Sequence, residues 1–138
     1  MNRERIRQQL ILHEGIVLDK PYRCTSNKLT IGVGRNLDDR GISETTAMQM
    51  LDEDIDIVYE ELQKVFEDFT DMPEIVQESL VDLAFNMGTP TLLKFKAAVR
   101  ALKAQQWGTA ADEILDSRYA RQVGQRAQTV ADNIRSCE

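Results

Sequence analysis

Residues 13–35 read HEGIVLDKPYRCTSNKLTIGVGR, and this stretch decides the fold because a helical pattern changes there into a hairpin pattern. The preceding residues 3–13 carry apolar side chains four and three positions apart, which predicts a helix that ends at Gly15. The polar run 25–28 is typical of a turn, and residues 29–34 have the β-branched and glycine-containing composition of a strand. The stretch therefore predicts a helix followed at once by a small β-hairpin.

The remainder of the chain predicts a helical bundle. Ser43 can cap a long helix in which apolar residues recur at spacings of three and four as far as Phe69. Pro73 suits the first turn of a second helix that ends at Gly88, and its dense apolar residues place it at the centre of the core. Further helices are expected over residues 89–107, 109–116 and 124–135. The predicted fold class is α+β with helix predominating.

Length and composition indicate one domain over residues 1–138. The chain has 42% apolar residues, enough for a core of its own. We expect a small β lobe over about 15–41 and a helical lobe formed by 1–13 and 43–138. The longest apolar runs are far shorter than the roughly 20 residues of a membrane span, and the first residues lack the apolar stretch of a signal peptide. Two cysteines 113 positions apart are expected to be reduced thiols.

The charge is unevenly distributed along the sequence. The net charge of −6 argues against a nucleic-acid binder. Residues 1–37 carry 7 basic and 3 acidic side chains, residues 38–82 carry 2 and 15, and residues 94–138 carry 8 and 5. If the two ends of the chain meet around a cleft, that cleft would be locally positive and would attract an anionic polymer. A solvated acidic helix is the preferred interpretation of the middle segment.

Glu14 is the candidate catalytic acid. Glycoside hydrolysis needs a carboxyl that is protonated near neutral pH and a second group that handles a water molecule or the sugar cation. Glu14 lies at the C-terminal end of the predicted first helix, where the helix dipole disfavours the ionised form. Position alone would favour an ordinary surface glutamate. With a single His13 and no paired cysteines, a metal site is not expected.

The motifs around Glu14 resemble those of the phage-type lysozymes, the muramidase endolysins of glycoside hydrolase family 24. The family pattern is a Glu, eight residues, an Asp or sometimes a Cys, five residues, and a Thr within a Thr-Ile-Gly-x-Gly strand. Here five residues separate Cys24 from Thr30, and nine separate Glu14 from Cys24. Landmarks of the family's helical lobe follow in family order over about nine tenths of the chain: Phe85-Asn86-Met87-Gly88, Trp107, Ser117-Arg118-Tyr119 and Gln125-Arg126-Ala127.

The resemblance implies a lysozyme-like fold, with the hairpin lobe next to the active-site cleft, and a role for each matching residue. Glu14 would protonate the glycosidic oxygen, Cys24 would help to place the attacking water, and Thr30 would hold that water or the carboxyl. Arg126 matches an arginine that pairs with the catalytic glutamate, and Asn86 matches a polar residue placed against the sugar. Family members of this kind typically invert the anomeric centre.

Two further aromatic residues are candidates for the cleft. Tyr22 lies in the hairpin near Cys24 and is a plausible cleft aromatic that contacts substrate. Trp107 could stack on a sugar, but a single tryptophan between two helices is more often part of the core.

Three departures from the family pattern leave alternatives open. Cys24 is uncharged at neutral pH unless its pKa is lowered well below about 8.5, and the neighbouring Arg23 and Lys20 could lower it. Cys24 could instead be a small filler in a weakened enzyme, or Asp19 could stand in as the second carboxylate. Arg35 stands where the family often has His, and the loop after Leu37 is short, which predicts a more open cleft.

The resemblance implies a peptidoglycan muramidase that cleaves the β-1,4 bond between N-acetylmuramic acid and N-acetylglucosamine and serves in host cell lysis. It implies no cofactor and a monomer without membrane insertion. Such an enzyme would accumulate in the host bacterial cytoplasm and depend on a holin-type permeabilising protein. The alternatives are a catalytically weakened glycan-binding homologue and a wall-degrading domain carried by a phage particle.

Overall fold

The computed structural model describes residues 1–138, which divide into two compact units, Met1–Gln49 and Met50–Glu138. Helices account for most of the chain, and the strands form one small antiparallel sheet. The predicted α+β class with helix predominating is therefore confirmed. No helix is both long and apolar enough to cross a membrane.

The first unit begins with α1 (Arg3–Glu14), which ends as the sequence predicts. Asn2 caps its start by accepting a hydrogen bond from the Arg5 N–H at 2.9 Å. Gly15 ends it with φ +73°, and its N–H donates to the Ile11 carbonyl. Local capping therefore defines both ends of the helix.

The sheet of the first unit has three strands in the order β1 (Val17–Arg23), β2 (Leu29–Gly32) and β3 (Arg35–Asn36). A short helix, α2 (Leu37–Arg40), follows directly. The hairpin and its turn were predicted, whereas β3 and α2 were expected to be loop. Two-residue strands and single-turn helices are too short to produce a periodic pattern, and the Asn36 side chain, which caps α2, is the one local signal for them.

The long α3 (Glu44–Val65) connects the two units. The Ser43 hydroxyl accepts from the Thr46 N–H at 3.1 Å, as expected for a cap. The apolar stripe continues past the end of the helix, because Phe69 lies in a separate 3-10 turn and packs edge-on against Tyr59 with ring centroids 5.1 Å apart. The predicted single helix through Phe69 is therefore two elements.

The second unit contains the core of the molecule. The central helix α4 (Glu74–Met87) ends at Gly88 as predicted, and α7 (Trp107–Leu115) and α9 (Gln125–Arg135) lie near their predicted bounds. Trp107 is buried in the core, which confirms that interpretation. The largest fully buried side chains are Phe66, Phe69, Leu62, Leu80, Leu83, Leu92, Leu102, Ile114, Ile134, Val76 and Val130.

Two expectations for the second unit were wrong. The helix predicted over 89–107 is broken into α5 (Thr89–Leu92) and α6 (Lys96–Lys103), because Leu93–Phe95 forms turn-type hydrogen bonds although it contains no glycine or proline. Gln105 then adopts φ +56° and separates α6 from α7. A further helix, α8 (Arg118–Val123), was missed; the Ser117 hydroxyl caps it.

Leu80→Ala should destabilise the second unit strongly. Leu80 is fully buried on α4, so truncation removes packed surface and leaves a cavity, at a cost of about 2–5 kcal/mol. Ile57→Ala is the matched control, since Ile57 is 56% exposed on α3. Urea unfolding followed by circular dichroism measures both, and equal losses in the two variants would contradict the assignment of Leu80 to the core.

Candidate active site

Glu14 is the last residue of α1, and its carboxyl lies against the backbone of Gly34. A Cβ atom placed on Gly34 would lie 3.2 Å from Glu14 Oε2, which is tighter than most contacts of a Cβ atom, and 3.4 Å from Cδ. Gly34 also has φ +68°, a conformation that favours glycine. The glycine of the Thr-Ile-Gly-x-Gly strand is therefore the residue that lets the carboxyl approach the hairpin.

Cys24 and Thr30 are tied together by one carbonyl group. The Lys28 carbonyl accepts the Cys24 N–H at 3.0 Å and the Thr30 hydroxyl at 2.8 Å. Asn27, with φ +58°, closes the turn by donating its N–H to the Cys24 carbonyl at 2.8 Å. Thr30 is 3% exposed and is the buried residue of the first unit, so the turn has a defined shape despite its exposed tip.

The turn also changes the chemistry of the Cys24 thiol. Hydrogen bonding from the Lys28 backbone, and then from the Ser26 backbone, lowers the pKa of Cys24, with a smaller contribution from the Thr30 side chain. The backbone of the turn lowers this pKa, whereas the sequence had suggested the charges of Arg23 and Lys20. Arg23 is instead paired with Asp38, and Lys20 is exposed on β1.

Tyr22 lies on the same face of the sheet as Thr30. The two residues are directly paired between β1 and β2, and Thr30 is paired in turn with Asn36 of β3. Tyr22 is half-buried. The structure thus groups Glu14, Cys24, Thr30 and Tyr22 within one unit, and their catalytic and binding roles stay predictions.

The register of β1 changes between Val17 and Tyr22. Val17 pairs with Gly32 and Tyr22 with Thr30, so the segment between them is longer on β1 than on β2. Pro21 lies in this segment and has no N–H to donate to the ladder. The nine residues between Glu14 and Cys24 include this irregular stretch, and such a strand can accommodate a residue more than the eight of the family pattern.

Two acidic residues that the sequence did not single out hold the hairpin to α2. Asp38 Oδ2 accepts from the Leu29 N–H at 2.7 Å and from Arg23 at 3.2 Å. Asp39 pairs with Lys28 at 3.1 Å, which lowers the pKa of Asp39 and raises that of Lys28. The signal for them was the Asn36 cap, which indicates that residues 36–39 form a helix start.

The other two predicted site residues, Asn86 and Arg126, lie in the second unit on α4 and α9. Asn86 is exposed. Arg126 forms an ion pair with Asp82 of α4. Its Nε donates to Asp82 Oδ1 at 2.7 Å, and its Nη2 lies 2.5 Å from the same oxygen. The pairing of Arg126 with Glu14 that the resemblance implies stays a prediction. The contact with Asp82, which lies one helical turn before Asn86, was not expected.

Tyr119 lies near this ion pair and has an unsatisfied hydroxyl. The side chain is 7% exposed, and its hydroxyl oxygen is buried without a hydrogen-bond partner. Burial raises the pKa of Tyr119, while Arg126 lowers it and Asp82 raises it through their charges. The phenol therefore stays protonated at neutral pH.

Cys24 should be alkylated at neutral pH faster than an ordinary thiol. Its pKa is lowered by the turn, so the rate of reaction with iodoacetamide in Cys137→Ser should rise with pH to a midpoint below that of the unfolded protein. Thr30→Val should move that midpoint upward. Urea-unfolded protein is the control, and a folded-state midpoint at or above the unfolded one would contradict the effect of the turn.

Comparison with known proteins identifies the family. A search of curated proteins finds no match. A family model described as Phage lysozyme matches residues 12–134, a span that contains the hairpin motif and the helical-lobe motifs together. The chain therefore belongs to the phage lysozyme family, glycoside hydrolase family 24, whose members are muramidases that degrade peptidoglycan.

Proposed function

We propose that the protein is an endolysin that hydrolyses the β-1,4 bond between N-acetylmuramic acid and N-acetylglucosamine during host cell lysis. The observation that carries this proposal is the Glu14 carboxyl at the end of α1, held against the backbone of Gly34 in a family of muramidases. Glu14 is exposed, so a glycosidic oxygen can reach it. Before lysis the enzyme would stay in the host cytoplasm as a monomer and depend on a holin-type permeabilising protein.

In the proposed mechanism Glu14 donates its proton to the glycosidic oxygen as the bond to the anomeric carbon breaks. A water molecule attacks that carbon from the opposite face of the sugar, which inverts its configuration. The lowered pKa of Cys24 supports a role for its thiolate as the base that takes the proton of the water. Glu14 loses one proton and Cys24 gains one, so the two proton transfers balance over the catalytic cycle.

Thr30 has a positioning role in this proposal. Its hydroxyl donates to the Lys28 carbonyl and is almost fully buried, so it holds the turn that carries Cys24. Tyr22, Asn86 and Arg126 are proposed substrate-binding residues. Asp19, which is exposed on β1, is the alternative second carboxylate.

Glu14→Gln should lower the release of reducing ends from peptidoglycan by about a hundredfold or more, because the amide cannot donate the proton. The anomer formed first, followed by NMR, reports the stereochemistry. Wild-type protein that binds peptidoglycan without releasing reducing ends would instead support a glycan-binding homologue. Co-purification with virions would favour a particle-borne domain.

Cys24→Ser should lower turnover and Cys24→Asp should retain it, because a carboxylate can serve as the base and a hydroxyl cannot at neutral pH. Asp19→Asn is the matched control and should leave turnover near the wild-type rate. A full rate in Cys24→Ser together with a loss in Asp19→Asn would assign the base to Asp19.

Gly34→Ala should lower turnover by up to about tenfold, because the new Cβ lies 3.2 Å from Glu14 Oε2 and the carboxyl must shift to relieve the contact. Gly32→Ala is the matched control: Gly32 has φ +69°, but a Cβ there meets no atom within 4 Å. Both variants bear the same backbone cost of about 1 kcal/mol. Equal turnover in the two variants would show that the approach of Glu14 to Gly34 does not matter for catalysis.

A further inference from the structure

The peptide group between Lys28 and Leu29 joins the candidate site to the short helix α2. Its carbonyl accepts the Cys24 N–H at 3.0 Å and the Thr30 hydroxyl at 2.8 Å. Its N–H donates to Asp38 Oδ2 at 2.7 Å. A peptide group is planar, so a contact that fixes its N–H also fixes the direction of its carbonyl. Asp38 therefore affects how Cys24 and Thr30 are held, although it bonds to neither of them.

The charge of Asp38 strengthens this arrangement. A carboxylate that accepts from a backbone N–H forms a shorter and stronger hydrogen bond than a neutral acceptor does. An N–H that is bound in this way polarises its own peptide group, which makes the carbonyl of that group a better acceptor. The bond to Asp38 thus supports both of the bonds that the Lys28 carbonyl accepts.

Arg23 contacts the same oxygen of Asp38 from the other strand of the hairpin. Its Nη1 lies 3.2 Å from Asp38 Oδ2 and 3.4 Å from the Asn27 carbonyl. Arg23 directly precedes Cys24 and pairs with Leu29 between β1 and β2. The two side chains of this ion pair are 59% and 41% exposed, so the pair by itself contributes little to stability. The bond to the backbone N–H is therefore the contact that matters for position.

The helix α2 holds the backbone of Asp38 in place. At its start, the Asn36 side chain accepts from the Asp39 N–H at 3.0 Å and donates to Asp39 Oδ2 at 2.9 Å. At its end, the Gly41 N–H donates to the Leu37 carbonyl at 3.0 Å. Asp38 lies between these two contacts. Its carboxylate thus extends from a backbone that is fixed at both ends of the helix.

We infer that Asp38 is a positioning residue for the proposed reaction, which orients the peptide group between Lys28 and Leu29 and thereby the turn that carries Cys24. The inference rests on the proposed function, because it assumes that Cys24 acts in catalysis. It gives α2 a role in shaping the site, although none of the proposed catalytic or substrate-binding residues lies on that helix.

The test measures the alkylation of Cys24 by iodoacetamide as a function of pH in full-length Cys137→Ser protein. Asp38→Ala removes the contacts with Leu29 and Arg23. We expect its midpoint to rise toward that of the unfolded protein and its rate at neutral pH to fall by about two- to fivefold. Removal of a negative charge alone would favour the thiolate and lower the midpoint, so the sign of the shift identifies the cause. Turnover on peptidoglycan should fall by about tenfold in the same variant without the cysteine substitution.

Asp39→Ala is the matched control. The charged side chains that pair beside the turn are Arg23 with Asp38 and Lys28 with Asp39. Asp39 has the same charge and lies on the same helix, but it contacts the Lys28 side chain at 3.1 Å and not the peptide group. The midpoint of Asp39→Ala should stay at or below that of the wild type, because an unpaired Lys28 ammonium favours the thiolate.

Asp38→Asn separates the acceptor from its charge and extends the test if Asp38→Ala does not fold. The amide keeps an oxygen that can accept from Leu29, so the alkylation midpoint should lie below that of Asp38→Ala. In two-dimensional amide NMR spectra, the Leu29 proton should move upfield because a neutral acceptor binds it more weakly. The Cys24 amide proton should move with it, since its acceptor belongs to the same peptide group. Thermal unfolding accompanies each variant.

The inference is overturned if Asp38→Ala leaves the midpoint unchanged or lowers it, or if Asp39→Ala raises it equally. It is also overturned if the Cys24 amide signal stays in place while that of Leu29 moves, or if turnover is unchanged in Asp38→Ala. Alkylation and NMR require no substrate, so they are separate from a failure of the proposed function. Absence of reducing-end release by the wild-type protein would refute the muramidase, whatever the midpoints show.

Discussion

The contact between the Glu14 carboxyl and the backbone of Gly34 is the constraint on which the candidate site depends. A Cβ at position 34 would crowd the carboxyl at 3.2 Å, and the positive φ there would strain any residue with a Cβ. Gly15, also with positive φ, ends α1 directly after Glu14 and directs the chain into β1. Two glycines therefore place one carboxyl at the junction of helix and hairpin.

Polar contacts connect the elements of the first unit. Its apolar side chains are half-buried or exposed, and Thr30 is its one buried residue. Asp38 and Asp39 connect α2 to the hairpin through a backbone N–H and two cations, and the Lys28 carbonyl joins both ends of the turn. The second unit has instead a continuous core of aliphatic and aromatic residues. This contrast suits a site in which a few groups must be oriented without being removed from water.

The sequence predicted those features that local chemistry determines. The cap at Ser43, the helix ends at Gly15 and Gly88, and the turn before Leu29 each depend on residues within a few positions, and the structure has them all. The core position of α4 followed from its density of apolar residues. The family motifs supplied the site residues, although their roles could not be derived from spacing.

What the sequence did not predict depends on contacts between distant residues or on elements too short to show a period. The break at Leu93–Phe95 has no local breaker, and β3 is two residues long. The Asp82–Arg126 pair joins positions 44 residues apart, so neither residue indicates the other. Asp82 appeared to be one more member of an acidic segment, and only the fold shows that its charge is matched.

Ion pairs such as this one also change how the uneven charge distribution should be interpreted. The first unit carries 8 basic and 6 acidic side chains, the second 9 and 17. In the first unit Arg23 and Lys28 are bound to aspartates that lie just beyond the basic segment, so much of its apparent excess is neutralised locally. In the second unit Arg126 is matched by Asp82. Since paired charges attract a distant anion weakly, recognition of a wall polymer must depend more on hydrogen bonds and apolar surface at short range than on long-range attraction.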